Sequence, residues 1–252
     1  MQDYYKVLGV PHTASAAEIR YAYRKKAKIL HPDITHRDSD EFRELLEAYQ
    51  TLSDLKSRAL FDQSFAFRGG AESSGRSGSK RTFDYRLWLL SRDDDESRAK
   101  LIMYDLTHGM EDSAVAEFKR MNMERQNFRL SRWFGHEDFM DYGYILAEEL
   151  VLRREYYDAL LILGQIIKME WKFHYFKFFF EEVEDFTRHI VLNNLEGTIN
   201  DEMALDAWER SLDLGLGKKC DSAVLLKMAD AYIRIGDFET ARTCRMAAAQ
   251  VD

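Results

Sequence analysis

The amino-acid sequence predicts an all-α protein made of two helical bodies joined by a flexible segment. Three observations carry this. Prolines occur only at Pro11 and Pro32, so the 220 residues after Pro32 contain none, and nothing there removes a backbone donor or locks φ. Apolar residues recur at three- and four-residue spacing on both sides of a single break. That break runs from Arg68-Gly69-Gly70 through Ser73-Ser74-Gly75 to Ser77-Gly78-Ser79-Lys80, and glycine and serine without apolar periodicity cannot build a core. The expected organisation is a first domain over 1–64, a flexible linker over 65–82 spanning about 25 Å, and an α-helical domain over 83–252.

In the first domain, Ser15-Ala16-Ala17-Glu18 is a capping box: the Ser15 hydroxyl accepts from a first-turn N–H while Glu18 reaches back. Behind it, Ile19, Ala22, Tyr23, Ala27 and Leu30 fall on one helical face, with Arg20, Arg24 and Lys28 turned away. Pro32 pushes His31 out of the α region, so this helix ends there. A second helix carries Phe42, Leu45, Leu46, Tyr49 and Leu52 at helical spacing. Two amphipathic helices on a short loop form an antiparallel hairpin with facing stripes, and Asp54 to Asp62 closes the unit.

These residues carry a family resemblance. Asp3 to Val10, reading D-Y-Y-K-V-L-G-V, resembles the first helix of a J-domain. Glu18 to Ala27 is similar to its second helix, which ends in His31-Pro32-Asp33; Phe42 to Asp54 is similar to the third and Arg58 to Asp62 to the fourth. The resemblance covers 3–62, about a quarter of the chain, and implies a co-chaperone that binds a DnaK-class chaperone and stimulates its ATP hydrolysis. The partner-binding residues it implies are His31, Pro32 and Asp33 with Arg20, Tyr23, Arg24, Lys25 and Lys28. Basic residues projecting from a rigid helix steer an acidic partner, Asp33 accepts charge-assisted bonds from an arginine of the ATPase, and Pro32 limits the entropy lost on docking.

The sequence departs from the pattern at Ile34 and Thr35, where a basic residue and asparagine are usual, and at Lys26, which stands where leucine is frequent. The lysine stem can lie along the helix groove. The linker holds only Phe65 and Phe67 beside its glycines. Without a cysteine-rich module, the chain resembles the third, divergent class of J-domain protein. A scaffold whose J-like domain no longer stimulates an ATPase is the alternative.

Beyond the break, Leu225, Met228, Ala229, Tyr232, Gly236, Phe238, Ala241 and Ala248 resemble a tetratricopeptide repeat, with small residues that let two helices approach and a glycine for the turn. Asp141 to Lys168 and Glu96 to Met121 are weaker copies, and a further helix pair at about 174–194 and 200–214 lies between. Four stacked hairpins are expected, with a non-repeating bundle as the rival. Tyr144 and Glu148 stand where some such domains use Lys and Asn to clamp an acidic chaperone tail, so that clamp is not visible. A client or scaffold protein is the expected partner of 83–252. From Trp171 to Phe186, Phe176, Phe179, Phe180, Val183 and Phe186 form a core stripe, while Trp171, Tyr175 and Phe178 fall on a second side. A helix buried on both sides is favoured there over an exposed binding face.

Composition excludes other classes. Residues 83–252 hold 22 Lys/Arg against 33 Asp/Glu, which argues against nucleic acid as a partner. No apolar run reaches the length of a membrane span and no basic-then-apolar leader is present, so no membrane contact and a cytoplasmic location are expected. Cys220 and Cys244 lack any CxxC context, which excludes a zinc ribbon. Walker, GxGxxG, HExxH and GxSxG patterns are missing, so no enzyme and no cofactor are expected. Asp93-Asp94-Asp95-Glu96 has the charge for a divalent ion, but acidic residues also complement a helix N-terminus, and that reading is preferred.

Overall fold

The computed structural model describes residues 2–30, 40–66, 84–126, 128–177 and 179–251. Among the described residues all regular structure is helical, as thirteen α-helices and one 3-10 turn. Contacts divide the chain into two compact units, 1–134 and 135–252. The boundary read from sequence at 65–82 thus falls inside the first unit, and residues 67–82 of it lie outside the described residues.

The first unit opens with α1 (Tyr4–Leu8), α2 (Ala16–Leu30), α3 (Asp40–Ser53) and α4 (Leu55–Ala66). The Asp3 carboxylate caps α1 by accepting from Lys6 N–H, and Gly9 ends it at φ 74°, a left-handed conformation that glycine adopts without strain. The capping box forms as read: Ser15 N–H donates to Glu18 Oε2 at 2.7 Å and Glu18 N–H to Ser15 Oγ at 3.1 Å. Ile19 and Ala27 of α2 are buried in the hairpin with Leu45, Ala48 and Leu52 of α3, and Tyr23 stacks on Tyr49 with centroids 4.0 Å apart. Tyr5 and Leu8 complete this core from α1.

A polar clamp fastens α4. The Arg58 guanidinium donates to Tyr5 Oη at 2.9 Å and to the Ala14 carbonyl at 2.7 Å, and Tyr5 Oη donates to Asp62 at 2.7 Å. Phe61 stacks on Tyr4 at 4.6 Å. The Arg58-x-x-Phe61-Asp62 spacing therefore puts cation, ring and carboxylate on the turn facing α1. These four helices close a core of their own.

The remainder of the first unit is α5 (Tyr85–Leu90), α6 (Asp95–Thr107), α7 (Glu111–Glu124) and a 3-10 turn at Leu130–Arg132. Arg86 grips buried Asp105 with two bonds of 2.7 and 2.9 Å, joining α5 to α6. Asp94 caps α6. Bonds from the Ser97 backbone N–H and hydroxyl lower its carboxyl to a pKa of about 2. Asp93 and Asp95 both pair with Arg125, so the acidic run serves a helix terminus and an arginine.

The second unit holds α8 (His136–Leu152), α9 (Tyr156–Phe173), α10 (Phe179–Asn193), α11 (Asp201–Leu212), α12 (Lys218–Ile235) and α13 (Phe238–Val251). On α8, a Cβ at Gly143 would stand 3.3 Å from Ile162 and 3.4 Å from Ile166, so glycine permits the α8–α9 approach. The α12–α13 hairpin turns at Gly236, φ 89°, and buries Met228, Ala229, Ala241 and Ala248 as read. Phe238 departs from the reading: it starts α13 beside the turn and is 69% exposed. The Trp208 indole is fully buried and donates to the Val191 carbonyl at 2.9 Å, tying α11 to α10.

The aromatic segment is not one helix. The chain breaks between Phe173 and Phe179, with His174 and Lys177 at φ 50° and 53°. The cause is Glu170, 3% exposed, whose carboxylate accepts the backbone N–H groups of Tyr175, Phe176 and Lys177 at 2.9, 2.7 and 2.9 Å. A buried anion satisfied by three donors in a row fixes a turn there. Phe176 and Val183 are core; Tyr175 is half-buried and donates to Asp141 at 2.6 Å. Trp171 is exposed against the expectation, its ring lying by Gly215, and Phe178 lies outside the described residues.

Candidate functional site

The candidate site is built on α2 and its connection to α3. A basic helix works as a docking element only if its frame is stiff, and the α2–α3 hairpin supplies that through the Tyr23–Tyr49 stack and the ties to α1. Tyr4 Oη donates to Glu47 at 2.6 Å, and that bond pushes the Tyr4 phenol up to about 12. Lys26 lies along the groove as its stem permits: its ammonium donates to the Val7 carbonyl at 2.6 Å, and a Cβ on Gly9 would come within 3.1 Å of it. The lysine thus takes the place of an apolar contact by satisfying the end of α1.

The residues named from sequence do not share one environment. His31, Pro32 and Asp33 belong to residues 31–39, between Leu30 at the end of α2 and Asp40 at the start of α3, and lie outside the described residues, as does the Lys28 side chain. Lys25 is exposed and Arg20 half-buried. Two of the named residues are turned away from solvent. Tyr23, placed among the partner contacts, is turned into the hairpin and buried against Tyr49. Arg24, expected to project into solvent, is only 3% exposed, and α2 also packs against α6.

Sequence reading missed this second covered face. Ala17, Tyr21 and Arg24 follow one another at helical spacing, about 120° round α2 from the stripe of Ile19, Tyr23 and Ala27. Ala17 is fully buried and Tyr21 half-buried. The sequence signal for it is two apolar residues, Ala17 and Tyr21, on the face that carries Arg24. An open groove lined by Val7, Lys26, Ile29, Leu30, Glu44 and Leu45 lies at the end of the hairpin that residues 31–39 connect. No cluster of three or more metal-ligating side chains occurs among the described residues. No described helix is long and apolar enough to cross a membrane.

Residues 3–62 match the family described as DnaJ domain, so a DnaJ domain occupies the N-terminal end of the chain. The chain is similar to the protein named Chaperone protein DnaJ of Exiguobacterium sibiricum, 48% identical over 84 residues, 32% of this chain and 23% of that protein. It is also similar to Chaperone protein DnaJ 1 of Cutibacterium acnes, 53% identical over 62 residues, 24% of this chain and 16% of that one. Chaperone protein DnaJ of Desulfitobacterium hafniense is 34% identical over 139 residues, 50% of this chain and 37% of that one. The chain thus spans 16% to 37% of the length of these relatives. No solved structure matches it.

Proposed function

We propose that the chain is a co-chaperone that binds a DnaK-class ATPase through α2 and residues 31–33 and stimulates its ATP hydrolysis. What supports this reading is the sequence His31-Pro32-Asp33 directly after α2, within the residues 3–62 that match the DnaJ domain. Lys25, exposed on α2, supplies steering charge, and Asp33 is the acceptor for an arginine of the ATPase. The chain has no catalysis, cofactor or metal of its own in this reading; it biases its partner toward the state that grips a client. It works in the cytoplasm and belongs to the divergent third class of J-domain proteins.

The helical region beyond the linker recruits a client or scaffold protein. Three hairpins in the second unit, α8–α9, α10–α11 and α12–α13, support a tetratricopeptide-like array: α9 packs on α10, α11 on α12, and α10 on α12. Repeats stacked in this way present an extended recognition face. Ile34 and Thr35 favour the second reading, a scaffold whose J-domain is silent. Single-turnover ATP hydrolysis by a DnaK separates the two. Acceleration on adding the chain is expected; an unchanged rate at saturating chain leaves the scaffold.

A further inference from the structure

We infer that residues 84–134 dock in cis on the outer face of α2 and cover the surface that a DnaK-class partner needs. The inference rests on the co-chaperone reading for its functional consequence, but the docking itself stands on geometry. A two-helix hairpin buries one stripe of each helix, and α2 buries two. The first, Ile19, Tyr23 and Ala27, faces α3. The second, Ala17, Tyr21 and Arg24, lies well round the helix and holds an alanine with no exposed surface and an arginine that keeps 3% of its own.

Besides α3 and α1, α6 also packs on α2, and the α6–α7 turn comes with it: a Cβ at Gly109 would lie 3.7 Å from Ser15 Cβ, at the foot of α2. Gly109 sits at φ 72°. Two residues further on, Glu111 and Asp112 form the acidic first turn of α7. An arginine is rarely covered unless something specific covers it. Here the covering element belongs to the same chain, so a partner that needs Arg24 has to displace it. The partner's apparent affinity is then reduced by the fraction of chains in the open state.

The test compares four proteins: the full chain, its Gly109→Lys and Gly109→Ala variants, and residues 1–66, whose core is closed from within. The lysine puts a long cation into the interface. The alanine bears the same backbone strain but adds only an ordinary van der Waals contact, so it controls for strain. Arginine modification by phenylglyoxal, read by mass spectrometry, reports Arg24 directly, with circular dichroism confirming helical content. Arg24 is expected to be protected in the full chain and in Gly109→Ala, and reactive in Gly109→Lys and in 1–66. The two reactive forms should reach half-maximal DnaK stimulation at about tenfold lower concentration, the shift for an open fraction of about a tenth. Equal Arg24 reactivity in all four overturns the docking. Protected Arg24 with equal stimulation by the full chain and 1–66 overturns the masking. If no form stimulates, the co-chaperone reading and the masking fall together, while the footprint still decides the docking.

Discussion

Glu170→Gln isolates the interaction that most shapes the second unit. The carboxylate is buried and takes N–H groups from Tyr175 and Phe176 on Oε2 and from Lys177 on Oε1. Glutamine keeps one oxygen, so it can hold the first two donors as neutral bonds while its amide NH2 faces the third. A buried donor left unmet costs about 1–3 kcal/mol, and reducing two charge-assisted bonds to neutral ones costs about 1 kcal/mol more in total. The strain at His174 and Lys177, both left-handed, then lacks what held it. About 3 kcal/mol of destabilisation follows, roughly 10 °C in the melting temperature of a unit this size. Glu170→Ala should lose more, since all three donors are abandoned. The assay is thermal unfolding followed by circular dichroism and tryptophan fluorescence, with Trp171 beside the turn. A Glu170→Gln protein melting within about 2 °C of wild type would refute the turn-fixing role.

Other outcomes follow from the same kind of accounting. Arg58→Leu orphans the Ala14 carbonyl and strips the cation from Tyr5, so a chemical-denaturation curve should show the N-terminal helices destabilised by about 2–3 kcal/mol. Trypsin should cut first between Arg68 and Arg81, where basic residues stand among glycines and serines; first cuts beyond residue 84 would contradict the reading of this stretch as the most accessible backbone. Lys227 holds the Glu196 carboxyl below its ordinary range, and Arg234 does the same for Asp201. Depressed carboxyls stabilise the fold above their unfolded values of about 4 and lose that contribution as pH falls through the folded ones. Urea midpoints of the second unit should therefore hold steady from pH 7 to about 5 and fall below about 4, and Arg234→Gln should flatten that fall.

Much of this was legible because local rules and tertiary packing agreed. The Ser15–Glu18 box, the Ile19 and Leu45 stripes and the Gly236 turn each follow from residue type and spacing, and each formed. What escaped was set by contacts at long sequence separation. Nothing in the periodicity of α2 says that Arg24 is buried or that α6 packs on this helix, since a basic residue off the apolar stripe reads as solvated. The helix break at 174–178 escaped for a related reason. Aromatic spacing continued through it, while the cause was one carboxylate at Glu170 choosing backbone partners over solvent. Tyr23 served both readings, and only the stack on Tyr49 decided between core and contact.

In the proposed function, His31 and Asp33 make the working contact with a DnaK-class ATPase. Its most direct test is single-turnover ATP hydrolysis by a DnaK in the presence of wild type, His31→Gln and Asp33→Asn, each as the full chain and as residues 1–66. Acceleration is expected with wild type in both forms, stronger with 1–66, and the basal rate with either substitution at unchanged helical content. Stimulation by His31→Gln or Asp33→Asn equal to wild type would contradict it.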